Sequence, residues 1–210
     1  MRRWLLLGAL FVAASVGSAG AATIDFEDLA LDSVGNGGDR ISGGFFVDTG
    51  ANHSHVDDGT GWNTSNGTKI LVIDDLPGLN PVTFSPTSGA PFSLTSIDLS
   101  ESHPFAYARQ VQVTGNRVSG SPLSRLLTLD NNIVANVTAN YFETFTFDST
   151  WTNLTSVVVK GLGSGGTSPA NYFAIDNVVV TVAAVPEPAT ISLLGLGCAY
   201  AAGRRRRARR

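Results

Sequence analysis

Between Thr23 and Val182 no stretch sustains a helical period with caps at its ends. What recurs instead is a short run of Val, Ile, Thr and Phe, followed by a cluster of Gly, Asn, Asp, Ser or Pro. β-Branched and aromatic side chains suit a pleated, half-buried surface, and the intervening residues supply turn chemistry. The predicted strands are Thr23–Phe26, Gly44–Val47, Thr68–Ile73, Val82–Phe84, Ser93–Leu99, Arg109–Val113, Ser124–Leu129, Glu143–Phe147, Thr155–Lys160 and Phe173–Val182. Val111 and Val113 face one way and Gln112 the other; Phe145 and Phe147 oppose Thr144 and Thr146. Such alternation belongs to antiparallel sheets with one wet face. The expected fold class is therefore all-β, a two-sheet antiparallel sandwich of jelly-roll type. Phe92 and Leu94 share one face while Ile97 and Leu99 take the other, which calls for a bulge near Ser96. Gly- and Asp-rich loops are expected over Asp32–Gly50 and Val56–Gly67, and a flexible link over Gly161–Pro169.

The two ends follow different rules. Arg2 and Arg3 precede an apolar run from Trp4 to Val16, and Ala19-Gly20-Ala21 offers the small residues of a cleavage site. This is the pattern of a secretory signal helix, cut by signal peptidase after Ala21 or Ala22. At the other end Val185, Pro186, Glu187 and Pro188 precede an uncharged stretch, Ile191–Gly203, that includes Ile191, Leu193, Leu194, Leu196 and Ala202. It spans 13 residues, short against the roughly 20 of a full bilayer span. Arg204, Arg205, Arg206 and Arg207 follow, then Arg209 and Arg210. Prolines resist extending the apolar helix backwards, and arginines stay cytoplasmic. The expected organisation is a signal peptide over 1–22, a β-sandwich over 23–184, and a tail with a short transmembrane helix over 185–210.

The order Val-Pro-Glu-Pro, short apolar segment, arginine cluster resembles the PEP-CTERM sorting signal of Gram-negative bacteria. The resemblance implies recognition by exosortase and cleavage near the Pro-Glu-Pro motif. It also implies an exported protein, held in the inner membrane as a precursor and destined for the cell surface or an exopolysaccharide matrix. It implies no biochemical activity.

Charge is distributed unevenly. The chain holds 14 Lys and Arg against 17 Asp and Glu, a net of −3. Eight of the basic residues lie in the two ends, so residues 23–184 carry six basic against 16 acidic side chains, a net of −10. That argues against nucleic acid and anionic lipid as partners and favours cations. Cys198, in the tail, is the only cysteine, so the sandwich has no disulfide and no thiol nucleophile.

Four constellations could carry chemistry. Asp25 and Glu27 flank Phe26 in the first predicted strand, which would send both carboxylates to one face. Asp176 lies inside the last predicted strand, and first and last strands of a jelly roll lie side by side. Buried carboxylates need a partner, and structural calcium, an oxygen-seeking ion, would suit Asp25, Glu27 and Asp176. The pattern resembles jelly-roll carbohydrate-binding modules with calcium between an acidic first strand and an Asp in the last. His53 and His55, with Asp57 or Asp58, could make a zinc or copper site. Glu101 and Glu143 could pair as the carboxylates of a secreted glycoside hydrolase. Trp62, in a Gly-Trp-Asn-Thr loop, could stack on a sugar, as could Tyr107 and Tyr141; Trp151 and Tyr172, also beside loops, are better suited to plug the ends of the sandwich. The expected function is non-catalytic, polysaccharide binding or matrix structure, with the hydrolase as alternative.

Overall fold

The computed structural model describes residues 20–32, 38–50, 54–59, 64–73, 81–102, 108–132, 139–162 and 172–183. These residues form twelve strands: β1 Gly20–Ile24, β2 Arg40–Ser42, β3 Phe45–Asp48, β4 Ser54–Asp57, β5 Ile70–Ile73, β6 Val82–Pro86, β7 Phe92–Glu101, β8 Gln110–Arg117, β9 Leu123–Thr128, β10 Glu143–Thr146, β11 Leu154–Leu162 and β12 Phe173–Val182. The signal helix, the transmembrane helix and the sorting motif lie outside the described residues. Among those described, no helix is long and apolar enough to cross a membrane.

The strands make one continuous antiparallel sheet that curls into two layers. One layer runs β2-β3-β6-β11-β8-β9. The other runs β4-β5-β12-β7-β10, with β1 on β12 beyond β5. Among the described residues the layers are hydrogen-bonded as strands only through the pairing of Leu154 with Phe92. The alternation read from the sequence sets the inward faces. Phe45, Val47, Val82, Phe84, Val111, Val113, Val157 and Val159 from the first layer meet Ile24, Leu71, Leu94, Ile97, Leu99, Phe173, Ile175 and Val180 from the second in a single core. Each large apolar side chain so buried contributes about 1.5–3 kcal/mol relative to exposure.

The parity change in β7 is a pair of irregularities against β12. Asp176 pairs with Asp98, Val179 with Ser96 and Val180 with Leu94. One extra stretch therefore falls on β12 at Asn177–Val178 and one extra residue on β7 at Thr95. Asn177 takes φ 44° to accommodate it, a backbone conformation Asn tolerates better than most side chains.

Three strand predictions needed correction. β1 starts at Gly20, so the strand includes residues assigned above to the leader; Gly20, Ala21 and Ala22 pair with Val182, Thr181 and Val180. A cut after Ala21 would leave three of its pairings, and one after Ala22 two. β1 also ends earlier than predicted, because Phe26 has φ 59° and Asp25 Oδ1 accepts the Glu27 N–H at 3.2 Å. An Asx turn replaces the strand, and the period-2 argument that put Asp25 and Glu27 on one face fails with it. β2 lies inside the segment Asp32–Gly50 expected to be a loop, and β4 runs into the start of the other, Val56–Gly67, where no strand was predicted. They are short and polar, and part-buried side-chain hydrogen bonds that no alternation reveals hold them to each other. Arg40 donates to Asp32 Oδ2 at 2.7 Å and Ser54 Oγ at 3.1 Å, tying the two strands together. Gly43 and Gly44 turn β2 into β3 with φ of 55° and 78°. A side chain at Gly43 would also press a Cβ to 2.8 Å from the Thr23 carbonyl.

β5 departs from the half-buried pattern: Ile70, Leu71, Val72 and Ile73 are all buried. Its outer face has a cover of its own, in which Ile70, Val72 and Ala174 pack with Phe142. The chain returns over this face where Thr64 bridges Ala139 and the Ser65 N–H donates to the Ala139 carbonyl at 2.9 Å.

Candidate functional site

Three carboxylates converge where β7 ends, β9 ends and β10 begins. Glu101 is the last residue of β7, Asp130 follows β9, and Glu143 opens β10. One oxygen from each lies within 4.8 Å of the others. The geometry comes from the turn after β9. Asn131 adopts φ 63°, and Asp130 Oδ1 accepts the Asn132 N–H at 2.9 Å. The turn directs two further N–H groups at the glutamates. Asp130 N–H donates to Glu143 Oε1 at 2.8 Å, and Asn131 N–H to Glu101 Oε1 at 2.7 Å. Glu101 is wholly buried. Among the described residues its Oε2 has no hydrogen-bond partner, nor has the neighbouring buried Ser102 Oγ.

Burial is the largest influence on both glutamates and raises their carboxyl pKa above the usual range. The backbone N–H groups oppose the rise. The Asp130 charge adds to it for both, and for Glu101 so does that of Glu143. Sequence reasoning paired Glu101 with Glu143 on residue type alone and missed Asp130. The Asp-Asn-Asn tripeptide, a turn sequence with two residues prone to left-handed backbone, was the available signal.

A second acidic cluster surrounds Asp176. Its Oδ2 accepts from Asn66 Nδ2 at 2.6 Å, Thr68 Oγ1 at 3.0 Å and Asn177 Nδ2 at 3.2 Å, and its Oδ1 from the Asn177 N–H at 2.8 Å. Asn177 Nδ2 also donates to Asp98 Oδ2 at 3.0 Å, and Thr144 Oγ1 to Asp98 Oδ1 at 2.6 Å. One amide thus stands between two acids on adjacent strands. Asp176 is fully buried, and that burial pushes its carboxyl up to about 6 against the pull of its donors, with the Asp98 charge adding to the rise.

The structure does not gather Asp25, Glu27 and Asp176. Glu27 Oε1 accepts the Lys69 N–H at 2.7 Å, while Lys69 Nζ donates to the carbonyls of Glu27 and Leu29 at 2.9 and 2.6 Å. Asp25 caps its own turn, and Asp176 is held by Asn66, Thr68 and Asn177. Of the histidine motif, His53 lies outside the described residues; His55 is buried in β4, with Nε2 3.8 Å from Asp57 Oδ2.

Of the predicted sugar-stacking residues, Trp62 and Tyr107 lie outside the described residues. Trp151 is 5% exposed, its ring 4.6 Å from that of Phe147. It fills the core. Tyr141 and Tyr172 are half-buried. Among the described residues the exposed large apolar side chains are Leu31, Ile41, Phe46, Val118 and Leu126. A shallow depression lined by Pro91, Phe92, Ser93, Asn153, Thr181 and Ala183 contains no ionisable side chain.

Fold and C-terminus together define an all-β sandwich followed in the chain by a membrane-sorting tail. Residues 184–210 match the PEP-CTERM protein-sorting motif. The motif marks an exported, membrane-anchored precursor and implies processing by exosortase. No curated protein matches the chain. Solved structures similar to it include the following two. One is a DUF4465 family protein from Bacteroides caccae, at 14% identity and a TM-score of 0.46, covering 77% of this chain and 98% of that one. The other is a family 11 carbohydrate-binding module from Clostridium thermocellum, in complex with a β-1,3-1,4-mixed-linked tetrasaccharide. It has 11% identity and a TM-score of 0.40, covering 81% of this chain and 99% of that one. At such scores neither likeness assigns this chain a ligand or an activity.

Proposed function

We propose that the mature protein is a non-catalytic component of the cell surface or extracellular matrix, and that its sandwich binds polysaccharide there. The observation that carries this reading is the sorting motif at 184–210 on a body of net charge −10. Signal peptidase removes the leader, the tail holds the precursor in the inner membrane, and exosortase releases or transfers the body. An acidic body stays soluble in a hydrated matrix and repels anionic lipid and nucleic acid.

The alternative, a carbohydrate-active hydrolase, finds one supporting observation in the nearness of Glu101 and Glu143. Against it stands the burial of Glu101. A glycosidase needs both carboxylates facing a cleft that admits the sugar ring.

The test is to incubate the purified full chain, in detergent, with exopolysaccharide from its native host. Both retention on the polymer and release of reducing ends are measured. Retention without release is the expected result. Release of reducing ends that Glu101→Gln and Glu143→Gln both abolish would establish the hydrolase. Failure to be retained would leave matrix structure as the role and overturn the binding claim.

A further inference from the structure

We propose that Glu101, Asp130 and Glu143 form a calcium site that clamps the end of β9 to the β7–β10 edge of the other layer. The convergence of three acids is one observation; the second, independent of it, is Glu101. Its side chain is completely buried and its Oε2 lacks a hydrogen-bond partner among the described residues. A buried carboxylate oxygen without a donor is costly, and a cation is the group that satisfies it.

The arrangement suits one ion held from three sides. The turn at Asp130–Asn132 engages one oxygen of each carboxylate with a backbone N–H. Those bonds hold the three carboxylates in place without using all of their lone pairs. Oxygens within 4.8 Å of one another match the span across a single calcium, whose bonds are about 2.3–2.6 Å each.

The donor set selects the metal. It contains no His or Cys, which disfavours zinc and copper. Magnesium demands near-ideal octahedral geometry at about 2.0–2.1 Å and keeps several waters. Calcium tolerates irregular oxygen cages and completes its shell with water, which the exposed Asp130 side admits.

The position gives the ion a structural task. The layers are joined as strands at Leu154–Phe92. Along the seam between β9 and β10, by contrast, the described ties are between side chains and backbone: Arg125 Nη1 to the Thr146 carbonyl, and the turn to the two glutamates. An ion bound by Glu101, Asp130 and Glu143 closes that seam. With three carboxylates and partial solvent access, its affinity should match that of extracellular calcium modules, Kd of order 10⁻⁴–10⁻³ M.

The experiment titrates CaCl2 into the chelator-stripped full chain in detergent by calorimetry and follows the melting temperature in parallel. One ion per chain is expected, with a rise in Tm of several degrees at about 10 mM calcium. Asp130→Asn alters an exposed side chain and leaves the fold intact. It and Glu143→Gln should each weaken binding by about tenfold or more, whereas Glu27→Gln should bind as the wild type does. No heat and no Tm shift at 10 mM would overturn the site. So would binding that survives both Asp130→Asn and Glu143→Gln, or binding lost in Glu27→Gln instead. An equal shift with MgCl2 at the same concentration would overturn the assignment to calcium.

Discussion

Phe92→Ala is expected to destabilise the sandwich by about 3–5 kcal/mol. Phe92 is 2% exposed and stands where the two layers meet. It pairs with Val182 on one side and with Leu154, from the other layer, on the other. Its ring meets Phe45 edge to face, 5.1 Å between centroids at 83°, an arrangement that adds about 0.5–1.5 kcal/mol to simple burial. Truncation removes the transfer term and leaves a cavity at a corner where two strand pairings hold the backbone fixed. A domain of this size has only about 5–15 kcal/mol in hand, so the loss is a large fraction of the whole. Thermal unfolding should fall by roughly 6–20 °C, at 2–4 °C per kcal/mol. Phe46→Ala is the control: that ring, next to Phe45 in β3, is 37% exposed on the outer face of the first layer, and the change should cost under about 1 kcal/mol. Equal losses at the two positions would contradict the assignment of faces.

Asp176→Asn is expected to flatten the pH dependence of stability. The Asp176 carboxyl is pushed up to about 6 in the folded protein, first by burial, against an ordinary 3.8. The folded state therefore binds this proton more tightly than the unfolded chain does. The stability that results is fully present below about pH 4 and is lost as pH rises through 6. At neutral pH the ionised, buried carboxylate costs about 2–3 kcal/mol relative to its protonated form. Glu101 and Glu143 are shifted in the same direction and act with the same sign in the absence of calcium. Unfolding in urea, with chelator, at steps between pH 4 and 7.5 should show the wild type losing stability as pH rises. The variant should lose much less, because an amide keeps an acceptor for Asn66 and Thr68 without the charge. A variant curve parallel to that of the wild type would contradict the role given to Asp176.

The sequence made the layered β architecture legible because side-chain parity is a local signal. Phe173–Val182 was located residue for residue, and the switch of faces between Leu94 and Ile97 pointed to its irregularity before any pairing was known. β2 and β4 left no such trace. Arg40–Ser42 and Ser54–Asp57 are held by a part-buried guanidinium and by buried hydroxyls, and polar burial looks like loop composition in one dimension. Asp25 and Glu27 misled for a related reason: a single positive φ at Phe26 cancels the alternation, and an aromatic residue gives no warning of it. The carboxylate cluster was half legible. Glu101 and Glu143 could be paired as chemistry. Their meeting with Asp130, however, depends on three strand ends far apart in sequence, and on a turn whose backbone N–H groups rather than side chains do the positioning. The orphaned oxygen of Glu101 is a property of packing alone.

The sorting tail is the central claim, and one comparison tests it most directly: the intact mass and cell fraction of this protein from its native host, with and without exosortase. With the enzyme, the body should lack the Arg204–Arg210 cluster and leave the inner membrane. Without it, the chain should stay in the inner membrane at a mass that still includes Ile191–Arg210. The same mass in the same fraction from both strains would contradict the account.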